Sequence, residues 1–295
     1  MITEPVRIDV IEPHVVECGP TALRIAIGAQ LRKLREQQAI TPVVAAEHIR
    51  GSHAKISRLE LGRTGFKERD VRDLLALYGV TDSDQCEMFL GLVRKANQPG
   101  WWHHYGDLLP SWFETYLGLE GAAKSIRAYD GQLVPGLLQT EDYARAIVAL
   151  GHESTEAARR VELRRKRQEI LDVRGGPTLW AVLDEAVLRR PIGGRAVLRA
   201  QIEHLMEMSN RPNVTVQVLP YSSGSHVAAG GSFTLLRFAE QELPDIVYLE
   251  QLTSAQYLDR REDLEAYRAV MERVTVQAET PDRSRALLGA VAAQL

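Results

Sequence analysis

The chain has 295 residues, 45% of them hydrophobic, with 36 Lys and Arg against 39 Asp and Glu and a formal net charge of -3. That is enough apolar material for two domains, and the near-neutral balance excludes a protein that coats nucleic acid along its whole length. No apolar run is long enough to span a bilayer, residues 1–19 carry acids where a secretory leader needs a basic start, and Cys18 and Cys86 lack any paired spacing; a cytoplasmic protein with free thiols and no metal or other cofactor is expected.

Charge is spread unevenly. Residues 22–80 hold 11 Lys and Arg against six Asp and Glu, whereas residues 81–295 hold 24 against 29. A basic module joined to an acidic body suits a DNA-binding domain with a separate partner domain, although solvated surface charge alone also gives splits of this size.

In chain order, residues 1–20 with Pro5, Pro13 and Pro20 read as a flexible arm. A helix opens at Thr21 with Leu23, Ile27, Leu31 and Leu34 on one stripe, leaving Arg32, Lys33 and Arg35 off it, where they can face a phosphate backbone. Residues 41–62 then spell two short helices around a tight turn. Thr41 caps the first and Pro42 suits its first position; Ala45 and Ala46 permit a close crossing; Gly51 breaks the pattern. Ser52 caps the second helix, Ile56 and Leu59 form its buried stripe, and Gly62 ends it. Its open face carries His53, Ala54, Lys55, Ser57 and Arg58, the set a recognition helix needs in a DNA major groove. Helices at residues 67–78 and 81–96 complete an all-α domain placed at residues 21–97.

Residues 52–63, with Ile56-Ser57-Arg58-Leu59-Glu60 followed by Gly62-Arg63, resemble the recognition-helix signature of Cro/C1-type (XRE) helix-turn-helix domains. The resemblance implies base contacts from His53, Ala54 and Arg58 and phosphate contacts from Ser52 and Thr41, with Arg63 just beyond. It also shows one departure: glycine is usual in that family at the position of Arg50, and here it comes one residue later.

Residues 98–110 read as a linker and an aromatic junction, Trp101-Trp102-His103-His104-Tyr105, where packing accounts for the adjacent histidines better than a metal does. Residues 111–295 read as a mixed α+β domain. Strands are expected at residues 125–129, 179–183, 214–219, 231–238, 246–250 and 255–258; the last runs, joined by short loops, imply an antiparallel sheet with helices at 261–276 and 282–295 over one face. The helix expected at residues 155–173 carries six basic residues, which a solvated face interleaved with Glu156, Glu162 and Glu169 explains.

The run Val134-Pro135-Gly136-Leu137-Leu138-Gln139-Thr140-Glu141-Asp142-Tyr143-Ala144-Arg145, with Asp184-Glu185-Ala186, Arg190-Pro191 and the strand near residues 213–220, is similar to the C-terminal domain of WhiJ-like actinobacterial regulators. That likeness implies a transcriptional regulator, sometimes antitoxin-like, often paired with a small acidic protein. The expectation is therefore a sequence-specific regulator that reads a double-stranded operator as a homodimer and is not an enzyme. Its second domain would bind an effector or partner through Arg127, Tyr129, Asp184, Glu185, His226 and Glu250. The rival is a catalytic or enzyme-derived domain using Asp184, Glu185, His226 and Glu250, and Arg127 with Tyr129 and Asp130, although no nucleophile elbow, phosphate loop or metal motif organises them.

Overall fold

The fold is taken from a computed structural model that describes residues 19–62, 64–151, 154–239 and 244–295; the expected arm up to residue 18, and Arg63, lie outside the described residues. The chain divides into two compact units. The first holds residues 19–103 and Glu114–Ala122; the second holds His104–Phe113, Ala123–Phe238 and Pro244–Leu295.

In the first unit α1 (Pro20–Gln37) buries the expected stripe Leu23, Ile27, Leu31 and Leu34. It is followed by α2 (Pro42–His48), α3 (His53–Glu60), α4 (Glu68–Leu77) and α5 (Ser83–Ala96). The caps are local chemistry. Asp82 Oδ1 accepts from the Asp84 and Gln85 amides at 2.9 and 3.3 Å, which starts α5 two residues later than its hydrophobic pattern suggests. Asn97 is no free linker, because its side chain donates to the Phe66 carbonyl at 2.7 Å and accepts from the Phe66 amide at 2.9 Å.

The helix α6 (Ser111–Ala122) begins where the sequence places the second domain, yet its residues Glu114–Ala122 belong to the first unit. The cause is contact with α1: a Cβ at Gly118 would lie 2.0 Å from Thr21 Oγ1, so only glycine admits this approach.

The second unit is built on a six-stranded sheet, β1 (Ser125–Asp130), β2 (Thr178–Asp184), β3 (Val214–Leu219), β4 (Phe233–Arg237), β5 (Ile246–Glu250) and β6 (Ala255–Leu258), in the order β3-β2-β1-β4-β5-β6. The sheet is mixed, which corrects the expectation of an antiparallel one: β1 pairs with β2, and β2 with β3, in parallel. The reason lies in the connections. α7 (Glu141–Val148) and α8 (Ser154–Gln168) separate β1 from β2, and α9 (Glu185–Arg189) and α10 (Arg195–Met208) separate β2 from β3. Helical crossovers return the chain in the same direction, and only the short loops after β4 and β5 make hairpins.

Tyr129, Val182, Leu219, Phe233, Leu235 and Val247 share one face and pack with Leu264, Met271 and Val274 of α11 (Arg261–Gln277). The last helix, α12 (Pro281–Ala292), does not join α11 over that face. It closes the β3 edge, where Ser284 Oγ accepts from the Val218 amide at 2.9 Å and the Glu279 amide donates to the Val218 carbonyl at 2.9 Å.

Candidate nucleic-acid interface

Thr41 Oγ1 accepts from the Val44 amide at 3.3 Å and Ser52 Oγ from the Lys55 amide at 3.2 Å, so both expected caps are formed. Ala45 and Ala46 of α2 and Ile56 and Leu59 of α3 are all buried. His53, Ala54 and Arg58 stand on the exposed face with Ser52 and Thr41, and Ser57 is half-buried. Arg50, which holds the place of the usual glycine, takes φ +51, and Gly51 takes no left-handed angle. The turn therefore has its left-handed residue at Arg50, with the strain that a side chain brings there.

Two expected cations are committed elsewhere. Lys55 Nζ sits 2.5 Å from Asp70 Oδ2 on α4, which draws it from the open face. Arg35 is interior rather than facing outward: it donates to Glu60 and to the Ile40 carbonyl, and this contact lifts its pKa further. Helix periodicity assigns a face but not the partner that an off-stripe arginine finds 25 residues later.

In the second unit, the carboxyl ends of β1, β2, β3 and β5 share one edge of the sheet, where open α/β folds place their ligands. Three of the residues expected to form an effector site meet there. His226 Nε2 lies 3.4 Å from the Tyr129 hydroxyl and 3.7 Å from Asp184 Oδ2, and its Nδ1 is buried without a hydrogen-bond partner among the described residues. Burial, then the Asp184 and Asp130 charges, push the Tyr129 hydroxyl up to about 12. Asp184 also caps α9 through the Ala186 amide at 2.8 Å. The others stand apart. Glu185 is structural, accepting from Arg189 at 2.8 Å and from the Tyr221 amide at 2.9 Å. Arg127 lies over the Trp180 ring at 5.2 Å, nearer the amino end of β1. Glu250 accepts from the Tyr248 hydroxyl at 2.9 Å.

Residues 113–290, more than half of the chain, match a family described as a domain of unknown function (DUF5753). The chain belongs to the DUF5753 family. Residues 26–86 match a helix-turn-helix domain, so a DNA-binding module precedes the DUF5753 domain. No curated protein and no solved structure matches. No described helix is long and apolar enough to cross a membrane, and among the described residues no group of His, Cys, Asp and Glu is placed to hold a metal ion.

Within the DUF5753 domain, the long run at residues 134–145 proves to be a strap tied by glutamines. Gln139 Nε2 donates to the Val134 carbonyl at 2.7 Å; Gln201 accepts from the Thr140 amide and donates to the Leu138 carbonyl, both at 2.7 Å. Gln168 Nε2 donates to the Gly136 and Gln139 carbonyls at 2.9 and 2.8 Å. Arg164 of α8 donates to Gln139 Oε1. The place of Arg164 in this strap does not follow from the sequence, because α8 reads there as a solvated basic helix.

Proposed function

We propose that this chain is a sequence-specific transcriptional regulator of the XRE, WhiJ-like type. Its first unit reads an operator through Ser52, His53, Ala54 and Arg58, and its DUF5753 domain joins two copies and takes up a regulatory signal rather than catalysing a reaction. The observation that carries this is the exposed face of α3, where His53, Ala54 and Arg58 lie together beyond a capped N-terminus, above the buried Ile56 and Leu59. Amides and a short side chain at the helix start suit phosphate and close approach, and the exposed Arg58 guanidinium one turn on suits guanine.

One such unit covers few base pairs, which favours a homodimer on half-sites about 10 bp apart or a multiple of that. A small acidic protein remains the partner that the WhiJ-like resemblance suggests. Selection of bound duplexes from a random pool by the full-length protein tests the reading. A two-fold symmetric consensus, with affinity falling steeply as salt rises, is the expected result. Recovery of no consensus would overturn it.

A further inference from the structure

The face of the sheet under α11 gathers charged side chains at the amino end of β1. Side chains alternate along a strand, so Ser125 and Arg127 share the face of Tyr129, and Arg237 shares that of Leu235; Tyr129 and Leu235 both belong to the core under α11. Ser125 pairs with Arg237 and Arg127 with Leu235, which makes Arg127 and Arg237 diagonal neighbours, positions about 7 to 8 Å apart in an antiparallel pair. Arg268, Met271 and Glu272 come from α11, and Asp245 directly precedes β5. Together with Leu236 these residues line one cavity of about 180 Å³.

Its charges do not balance. Asp245 Oδ2 accepts from Arg268 Nη2 and lies 3.6 Å from Arg237 Nε, so one carboxylate oxygen serves two guanidiniums. Arg127 has no carboxylate partner among the described residues; it lies 5.2 Å over the Trp180 ring, which orients a cation without neutralising it. Arg127, Arg237 and Arg268 against Asp245 and Glu272 leave one positive charge in excess. Arg127 and Arg237 are exposed and so within reach of a solute, whereas Leu235 and Met271 form a buried apolar wall.

We propose that this cavity binds a small organic monocarboxylate, its carboxylate between Arg127 and Arg237 and its apolar body against Leu235 and Met271. One negative charge matches the excess; a dianion overshoots it, and a neutral molecule leaves Arg127 without a counterion. Guanidiniums hold a carboxylate through paired N–H donors, and the apolar wall favours an organic acid over an inorganic anion. A cavity of roughly 150 Å³ holds a benzene-sized molecule, so the ligand is about the size of benzoate. The cavity lies at the opposite end of β1 from the cluster of Tyr129, Asp184 and His226. It lies wholly within the DUF5753 domain and does not rest on the DNA-binding reading.

The test uses the full-length protein at constant ionic strength with benzoate, phenylacetate, isovalerate and hexanoate, each at millimolar concentration. Thermal unfolding selects the acids that raise the Tm, and calorimetric titration measures their affinity. At least one binds saturably, its carboxamide binds at least about tenfold more weakly, Arg127→Gln weakens binding about tenfold, and Glu272→Gln strengthens it about threefold. Opposite effects of the two variants are not what loss of a structural contact gives. Absence of binding by all four acids, equal binding of acid and carboxamide, or equally tight binding of inorganic phosphate overturns the proposal even if a variant fails to fold. Unchanged affinity in a folded Arg127→Gln, or no gain in a folded Glu272→Gln, also overturns it.

Discussion

Arg35 and Glu60 form a two-point ion pair that joins α1 to the last turn of α3: Arg35 Nε donates to Glu60 Oε1 at 2.6 Å and Nη2 to Oε2 at 3.0 Å, while Nη1 donates to the Ile40 carbonyl at 2.9 Å. Only 7% and 9% of the two side-chain surfaces remain exposed, so the charges neutralise each other out of water. Two glycines permit the approach. A Cβ at Gly28 would lie 2.5 Å from the Leu59 carbonyl oxygen, and one at Gly62, where φ is +63, would lie 2.6 Å from Ile25 Cα. The ion pair and the glycines together fix how α3 is seated on α1.

Breaking that pair from one side leaves a buried charge with no counterpart. Glu60→Gln is expected to cost about 3 kcal/mol, more than the double replacement Arg35→Met with Glu60→Leu, because the double change removes both charges. Urea unfolding of the three variants checks this ordering, and a single variant no less stable than the double one would contradict it.

Arg50 offers a change in the opposite direction. A side chain at φ +51 costs about 1 to 2 kcal/mol, and glycine relieves this while returning roughly 0.5 to 1 kcal/mol through the entropy of its unfolded chain. Arg50→Gly should therefore leave stability unchanged or raise it by up to about 1.5 kcal/mol. A clear loss in denaturant midpoint would show that the Arg50 side chain contributes more than its backbone costs.

Caps and periodicity made most of the first unit legible: Thr41, Pro42, Ser52 and the Ile56–Leu59 spacing each report a local preference that the fold keeps. What stayed hidden was set by distant partners. Lys55 goes to Asp70, Arg35 to Glu60 and Asn97 to the Phe66 backbone, and none of these pairings leaves a local pattern. In the second unit the strands themselves were visible, because alternation and β-branched runs mark them. Their direction was not, because it depends on whether a helix intervenes, and the late hairpins were extended to the whole sheet. The carboxyl edge was half legible: Tyr129, Asp184 and His226 were singled out and do meet. Arg164 is not legible there, since an arginine on a basic helix looks solvated until the strap that it bonds is seen.

Commitment of Lys55 to Asp70 separates it from Arg58. On an operator duplex, Arg58→Ala should lose about 1 to 3 kcal/mol and relax preference at one base position, whereas Lys55→Ala should lose less and leave preference intact. Binding to specific and random duplexes distinguishes the two. Equal losses on both duplexes for Arg58→Ala would show that it meets phosphate alone.

Asp130 sets a pH dependence whose direction follows from its shifted carboxyl. Below about pH 4 the group is protonated in both the folded and the unfolded chain and contributes nothing. Between about pH 4 and 7 the unfolded chain releases this proton and the folded chain, with its carboxyl near 7, keeps it, so folding loses stability as pH rises. Above 7 the loss is complete; three units correspond to at most about 4 kcal/mol, and solvent reaching the half-buried side chain makes the realised figure smaller. The groups acting on it are Ser232 and Arg167, which favour ionisation, and Glu250, which opposes it. Asp130→Asn removes the titration while keeping the shape. Its stability relative to the parent should therefore rise steadily from pH 4 to 7 and level off above, as read from urea unfolding of both proteins at each pH. A difference that stays constant across that window would mean that Asp130 keeps an ordinary carboxyl and carries its charge throughout.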